Sequence, residues 1–195
     1  MKNFLVRKSV FALLLCCCSS LALADSWNLP QKLSDKNTTI DFEVDTTWHL
    51  VEGKTKGLQG EVSLSDPKDP NSITATLTLP VNKFDTDNSD RDEEMRAAMA
   101  EDKFPAVTLK IDRAKEICTT EVAQQKGCKA LLEGSLSIRG VTRSLTLPVK
   151  INYKANKYII AGTFTFPWAS FGVEDPSIFV AKVYPDVTIK FKLKL

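Results

Sequence analysis

Histidine occurs once in the 195 residues, as His49. A histidine-rich metal site and a Ser-His-Asp triad would both depend on that one ring, so neither chemistry has much to rest on. His49 lies in an alternating, strand-like stretch and reads as a structural residue. Glycine is scarce too, with eight residues and no glycine-rich phosphate loop. Strand-like and helical segments do not alternate, which excludes a nucleotide-binding α/β fold. No apolar run reaches the roughly 20 residues of a spanning helix. A basic excess is also missing, since 26 Lys and Arg face 24 Asp and Glu. Lys190, Lys192 and Lys194 alternate with Ile189, Phe191 and Leu193 as the solvated face of a strand, so no nucleic-acid partner is expected.

The apolar stretch that does exist is N-terminal. Lys2, Arg7 and Lys8 precede an apolar run opening at residues 10–15, and Ala22-Leu23-Ala24 offers small residues for cleavage. This is the pattern of a secretory signal peptide. Cleavage after Ala24 and export to the periplasm are expected, in preference to a retained anchor or lipid attachment at Cys16, Cys17 or Cys18. Residues 25–195 then form a single domain of close to neutral charge. Three of the five cysteines leave with the signal, and Cys118 and Cys128 remain. In an oxidising compartment they are expected to pair and pin the ends of a long hairpin. Their spacing is not Cys-x-x-Cys, which argues against a redox pair.

What fills the rest is period-two alternation. Ile40, Phe42 and Val44 oppose Thr39, Asp41 and Glu43; Ile73, Ala75, Leu77, Leu79 and Val81 make the longest such run. The pattern resumes at residues 107–111, 132–138, 145–151, 158–166 and 187–195. About eight amphipathic strands predict an all-β, antiparallel fold with one face buried. A sandwich and an eight-stranded barrel both fit, and the long strands with spaced glycines favour the barrel. One short helix is expected from Ser89 or Asp90. Glu93 and Glu94 sit in its first turn, Met95, Ala98 and Met99 form its apolar stripe, and Phe104-Pro105 stops it. Its natural place is across an open end of the barrel.

Inward-facing positions on this reading include Phe42, Leu77, Leu79, Leu109, Leu136, Phe164, Phe166 and Phe191. They either fill the barrel or line a cavity, since eight strands leave room for side chains or for one ligand. Gly134 and Gly162, at inward positions, remove bulk and favour a cavity. Trp168 and Phe171 in the late loop, with Phe104 after the helix, are placed to rim an opening. Asp90, Asp92, Glu93 and Glu94 could serve acid–base chemistry, but at a helix start they are better explained by the dipole.

Several short motifs then occur in a telling order. Arg91-Asp92 opens the helix, Phe104-Pro105 follows it, and Gly140-Val141-Thr142-Arg143 joins two strands. Phe171-Gly172-Val173 stands in the late loop and Asp186-Val187-Thr188-Ile189 near the end. Together they resemble the YceI-like family of exported polyisoprenoid-binding proteins over nearly all of the mature chain. The resemblance implies a lipocalin-like barrel whose apolar tunnel holds a long isoprenoid or related lipid, with no other cofactor and no turnover. It departs from the family where Glu93 and Glu94 follow the Arg-Asp pair, a place where members commonly carry a histidine. Arg91, Arg139 and Arg143 would meet an anionic headgroup if they stand at the mouth; otherwise they pair with Asp92 or hold loops. Transient membrane contact and a homodimer are both compatible with this reading. Two rival readings stay open: a lipid-modifying enzyme using the helix carboxylates, and a solid-core barrel acting on a protein partner through its exterior. Thiol labelling of the mature, denatured and unreduced protein is expected to find no reactive cysteine; two per chain would refute the Cys118–Cys128 pairing.

Overall fold

The computed structural model of the chain describes residues 29–66, 69–177 and 180–195. The expected signal segment, its cleavage site and Trp27 lie outside them. Alternation becomes strands β1 (Gln31–Ser34), β2 (Thr38–Thr46), β3 (Leu50–Thr55), β4 (Gln59–Leu64), β5 (Ile73–Pro80) and β6 (Phe84–Asp85). They continue as β7 (Ala106–Lys115), β8 (Cys128–Ile138), β9 (Val141–Lys154), β10 (Lys157–Pro167) and β11 (Val183–Lys194). Two helices, α1 (Ser89–Ala98) and α2 (Thr120–Lys126), interrupt them. All strands join one antiparallel sheet in the order β1-β4-β5-β7-β8-β9-β10-β11-β2-β3-β6. It curls until side chains from β2 through β11 face a common interior. The fold is therefore the expected all-β antiparallel barrel, with eleven strands among the described residues where about eight were expected. The additional ones are short: β1 lies in a proline-interrupted segment that reads as polar, and the two residues of β6 are too few to show a period.

The ring is not closed by backbone ladders alone. Consecutive strands β3 and β4 do not pair, and β1 and β6 are the two ends of the sheet. Side chains close that seam. The Asp35 carboxylate accepts from the amides of Gly57 at 2.8 Å and Leu58 at 3.0 Å. Leu33, Leu58 and Val81 are buried, and Lys56 pairs with Asp85 at 2.8 Å.

The far end of the barrel is plugged. Cys118 and Cys128 form the expected disulfide, closing a ten-residue separation. They do not simply pin a hairpin, because the segment between them folds into α2. Thr119 caps that helix, its hydroxyl accepting from Val122, and Gly127 ends it at positive φ. That cap-and-glycine pair is a helix signal a sequence reading can use, but the polar composition of the segment reads as a loop. Ala123 of α2 is buried with Ala130, Ile151, Tyr158 and Leu195. Gln124 donates to the Tyr158 hydroxyl at 3.0 Å, and Tyr158 and Leu195 exchange backbone hydrogen bonds.

At the opposite end α1 departs from expectation at both termini. Asn88, not Ser89 or Asp90, is the cap, its side chain accepting from Asp90 and Arg91 amides. The helix stops at Ala98, well before Phe104-Pro105, because Ala100 takes a left-handed conformation and the Glu101 amide turns back to Arg96. His49 likewise sits in the turn between β2 and β3 and is exposed, not within a strand. Gly134 frees no interior space. A Cβ there would strike the Lys110 carbonyl at 1.9 Å, so this glycine lets β8 approach β7 beside the irregularity between Ile111 and Arg113. Asp35→Ala is expected to lower the unfolding free energy by about 1.5 kcal/mol, the scale of hydrogen bonds to a charged group, read as a lower urea midpoint with unchanged slope.

Candidate functional site

Inside the curl lies a cavity of about 500 Å³. Of the residues expected at it, Phe42, Leu77, Leu79, Leu109, Leu136, Phe164, Phe166 and Trp168 all line it. Alternation places the first seven there, since each strand turns every second side chain inward, while Trp168 follows β10 in a short 3-10 turn. Phe164 and Phe166 stack at 5.9 Å between ring centroids, and Phe164 meets Phe191 edge-on at 6.4 Å. Together they form an aromatic wall along β10 and β11. Leu147, Ile160 and Val62 form the deep, buried part.

Two features keep the bulky rings from filling the space. Phe42 pairs across the strands with Gly53, and its ring lies so flat on that glycine that a Cβ would come within 2.1 Å of it. Phe191 does the same on Gly162, where a Cβ would approach its ring to 2.6 Å. Gly162 thus does make room, by accepting a neighbour's ring against the wall.

Two of the expected rim residues stand elsewhere, and Arg143 takes the loop-holding alternative. Phe104 does not rim the opening; its ring packs against the β8–β9 turn, 2.6 Å from where a Cβ of Gly140 would sit. Gly140 at φ 74° provides the left-handed turn that makes this close packing feasible. Phe171 is buried behind the wall, edge-on to Phe166 at 5.1 Å. Arg143 lies outside the cavity lining and donates to the Ser170 carbonyl at 3.1 Å. Arg139 similarly ties Gly172 and Glu174 of the same loop. Both arginines hold loops because the β8–β9 turn projects them toward the segment after β10.

The mouth is asymmetric. On one side α1 presents Asn88, Asp90, Arg91 and Glu94 above the apolar Met95, Ala98 and Met99. Arg91 is committed to Thr86, donating from Nε to the hydroxyl at 2.9 Å and from Nη2 to the carbonyl at 2.6 Å. Thr86 in turn donates its amide and hydroxyl to Asp92 at 2.9 and 2.6 Å. The Arg-Asp pair is therefore a lock on the helix start. On the other side stand Trp48, His49, Trp168 and Ala181. Phe84, which packs on Phe42 at 5.8 Å, is a lining residue that alternation could not reveal in so short a strand.

A one-ended antiparallel β-barrel around an apolar hollow is the class of protein that the fold and its lining define. A family model described as the YceI-like domain matches residues 31–195. The chain belongs to the YceI-like family, as its motifs implied. It is 28% identical over 115 residues to a protein named YceI from Salmonella newport, a match covering 57% of this chain and 55% of that one. The chain thus spans about half the length of the curated relatives it matches. Its fold is similar to that of BcnA from Burkholderia cenocepacia, with TM-score 0.68, 19% identity and coverage of 81% and 96% of the two chains. It is similar also to a polyisoprenoid binding domain from Saccharophagus degradans, with TM-score 0.64, 14% identity and coverage of 85% and 96%.

Gly53→Ala is expected to turn the Phe42 ring into the hollow. The variant should lose about 1–3 kcal/mol of stability through overpacking and take up less of an apolar fluorophore such as N-phenyl-1-naphthylamine than wild type.

Proposed function

We propose that the protein is an exported, periplasmic carrier for a long-chain isoprenoid lipid of the polyprenyl or quinone type. The tail is held in the barrel and is not chemically altered. The observation that carries this reading is the apolar hollow itself, open at the α1 end and plugged at the α2 end. A tail burying roughly 400 Å² would recover about 10 kcal/mol of transfer free energy. Immobilising it costs a comparable amount unless the site is preformed. A rigid sheet wall meets that requirement.

The rim supports a headgroup of low charge. Asp90 and Glu94 reach the mouth, while the Arg91 guanidinium is already engaged by Thr86. A diphosphate would meet two carboxylates and an arginine with part of its donor fork occupied, so a quinone ring or free alcohol suits the mouth better. The same carboxylates motivate the enzymatic alternative. Turnover of a bound lipid that Asp90→Asn with Glu94→Gln abolishes would favour it.

Organic extraction of the purified mature protein, followed by mass spectrometry, is expected to release an isoprenoid lipid in near-stoichiometric amount. Leu77→Trp or Leu136→Trp should abolish that co-purification while the circular dichroism of the sheet is retained. Failure of the protein to bind any long-chain lipid would refute the carrier reading.

A further inference from the structure

Four large apolar side chains are exposed among the described residues: Trp48, Leu50, Val180 and Tyr184. Scattered singly they would mean little, but they gather on one rim. Trp48 and Leu50 occupy the turn between β2 and β3 and its exit. Tyr184 opens β11, which is hydrogen-bonded to β2 through the pairing of Val183 with Thr46. Val180 precedes it in a loop tied to the same turn, where the Thr47 amide donates to the Lys182 carbonyl at 3.0 Å. Trp48 is 64% and Val180 62% exposed, values that leave most of each side chain in water.

This rim is continuous with the hollow. Val183 and Val51 line the interior, and their chain neighbours Tyr184 and Leu50 turn outward. Trp48 belongs to both surfaces, lining the mouth and facing solvent. A hydrocarbon tail leaving on this side passes from wall to rim over apolar surface; leaving past α1 it would cross Asp90, Arg91 and Glu94.

We propose that this rim docks on the surface of a zwitterionic phospholipid bilayer, aligning the mouth with the lipid from which the tail is drawn. The inference rests on the carrier reading above, because a tail insoluble in water has a bilayer as its source. Trp and Tyr favour the headgroup layer, where an apolar ring and a polar edge are both satisfied. The Lys182 ammonium lies 5.9 Å from the Tyr184 ring centroid, within reach of a lipid phosphate. Asp45, which pairs across the sheet with Leu50, keeps an exposed carboxylate on the outer face and limits insertion to the tip. Lys182 is offset there by the exposed carboxylates of Asp45 and Asp175, the latter within its electrostatic reach, so attraction to anionic lipid is weak, which selects the zwitterionic surface.

The test uses the mature protein, sucrose-loaded phosphatidylcholine vesicles and Leu50→Ser combined with Val180→Ser, neither of which lines the hollow. Wild type is expected to sediment with the vesicles and the double variant to do so at least tenfold less. Binding of farnesol, an isoprenol that needs no vesicle, is expected to be equal in the two proteins, which also shows that the variant folds. If it does not fold, Val180→Lys alone, in the loop, carries the same comparison. Wild type that fails to sediment, equal sedimentation of both, sedimentation only with anionic vesicles, or a dimer that the substitutions break would each overturn the docking. Absent farnesol binding by wild type would instead strike the carrier reading, leaving the sedimentation result to judge the rim.

Discussion

A barrel of this kind depends on keeping its inner walls apart. Protein interiors are normally packed as densely as organic crystals, and a hollow forfeits the dispersion contacts that would otherwise cross it. The walls hold because each is a hydrogen-bonded ladder that cannot collapse without breaking register. Phe42 and Phe191 lie flat on Gly53 and Gly162 instead of meeting in the middle. On the carrier reading, a tail in the hollow supplies the contacts that the walls do not make with one another.

The two ends of the barrel divide the remaining tasks. At the α2 end a disulfide, a buried alanine and the C-terminal leucine form a plug with no part in the cavity lining. The ten-residue closure by Cys118 and Cys128 removes freedom from the unfolded chain in the entropy model, worth about 2–3 kcal/mol. At the α1 end nothing is so firmly closed. The helix has no fully buried residue and is held chiefly by its Asn88 cap and the Arg91–Thr86–Asp92 network. On the carrier reading, a rigid floor and a lightly held rim let a long flexible molecule enter from one side only.

Most of the cavity wall was legible in the sequence because a strand's side-chain period is an integer. Once Leu77 is inward, Leu79 is inward too, and the same holds for Phe164 and Phe166. Loops obey no such rule. Phe104 and Phe171 read as rim residues from their place in the chain, and Arg143 as a mouth or loop-holding residue, yet the tight turn at Arg139-Gly140 draws Phe104 aside and Arg143 ends on Ser170. The helix was legible as a helix but not in its ends, since Ala100 stops it through a backbone conformation that alanine seldom adopts. The second helix is not legible in the sequence because seven residues carry too little periodicity to outweigh a polar composition.

By itself the sequence determined the class of fold, the inward faces of the strands, the pairing of two cysteines and, through ordered motifs, the family. The first three follow from local rules of alternation, spacing and composition; the family rests on the resemblance of its ordered motifs. Whether the inward faces meet or stand apart was a matter for the tertiary structure alone. That outcome turns on which bulky residue falls opposite which glycine once the strands are in register, as Phe42 does on Gly53. The gathering of Trp48, Leu50, Val180 and Tyr184 on one rim was decided there as well, because they come from strands and loops that become neighbours only when β11 closes against β2.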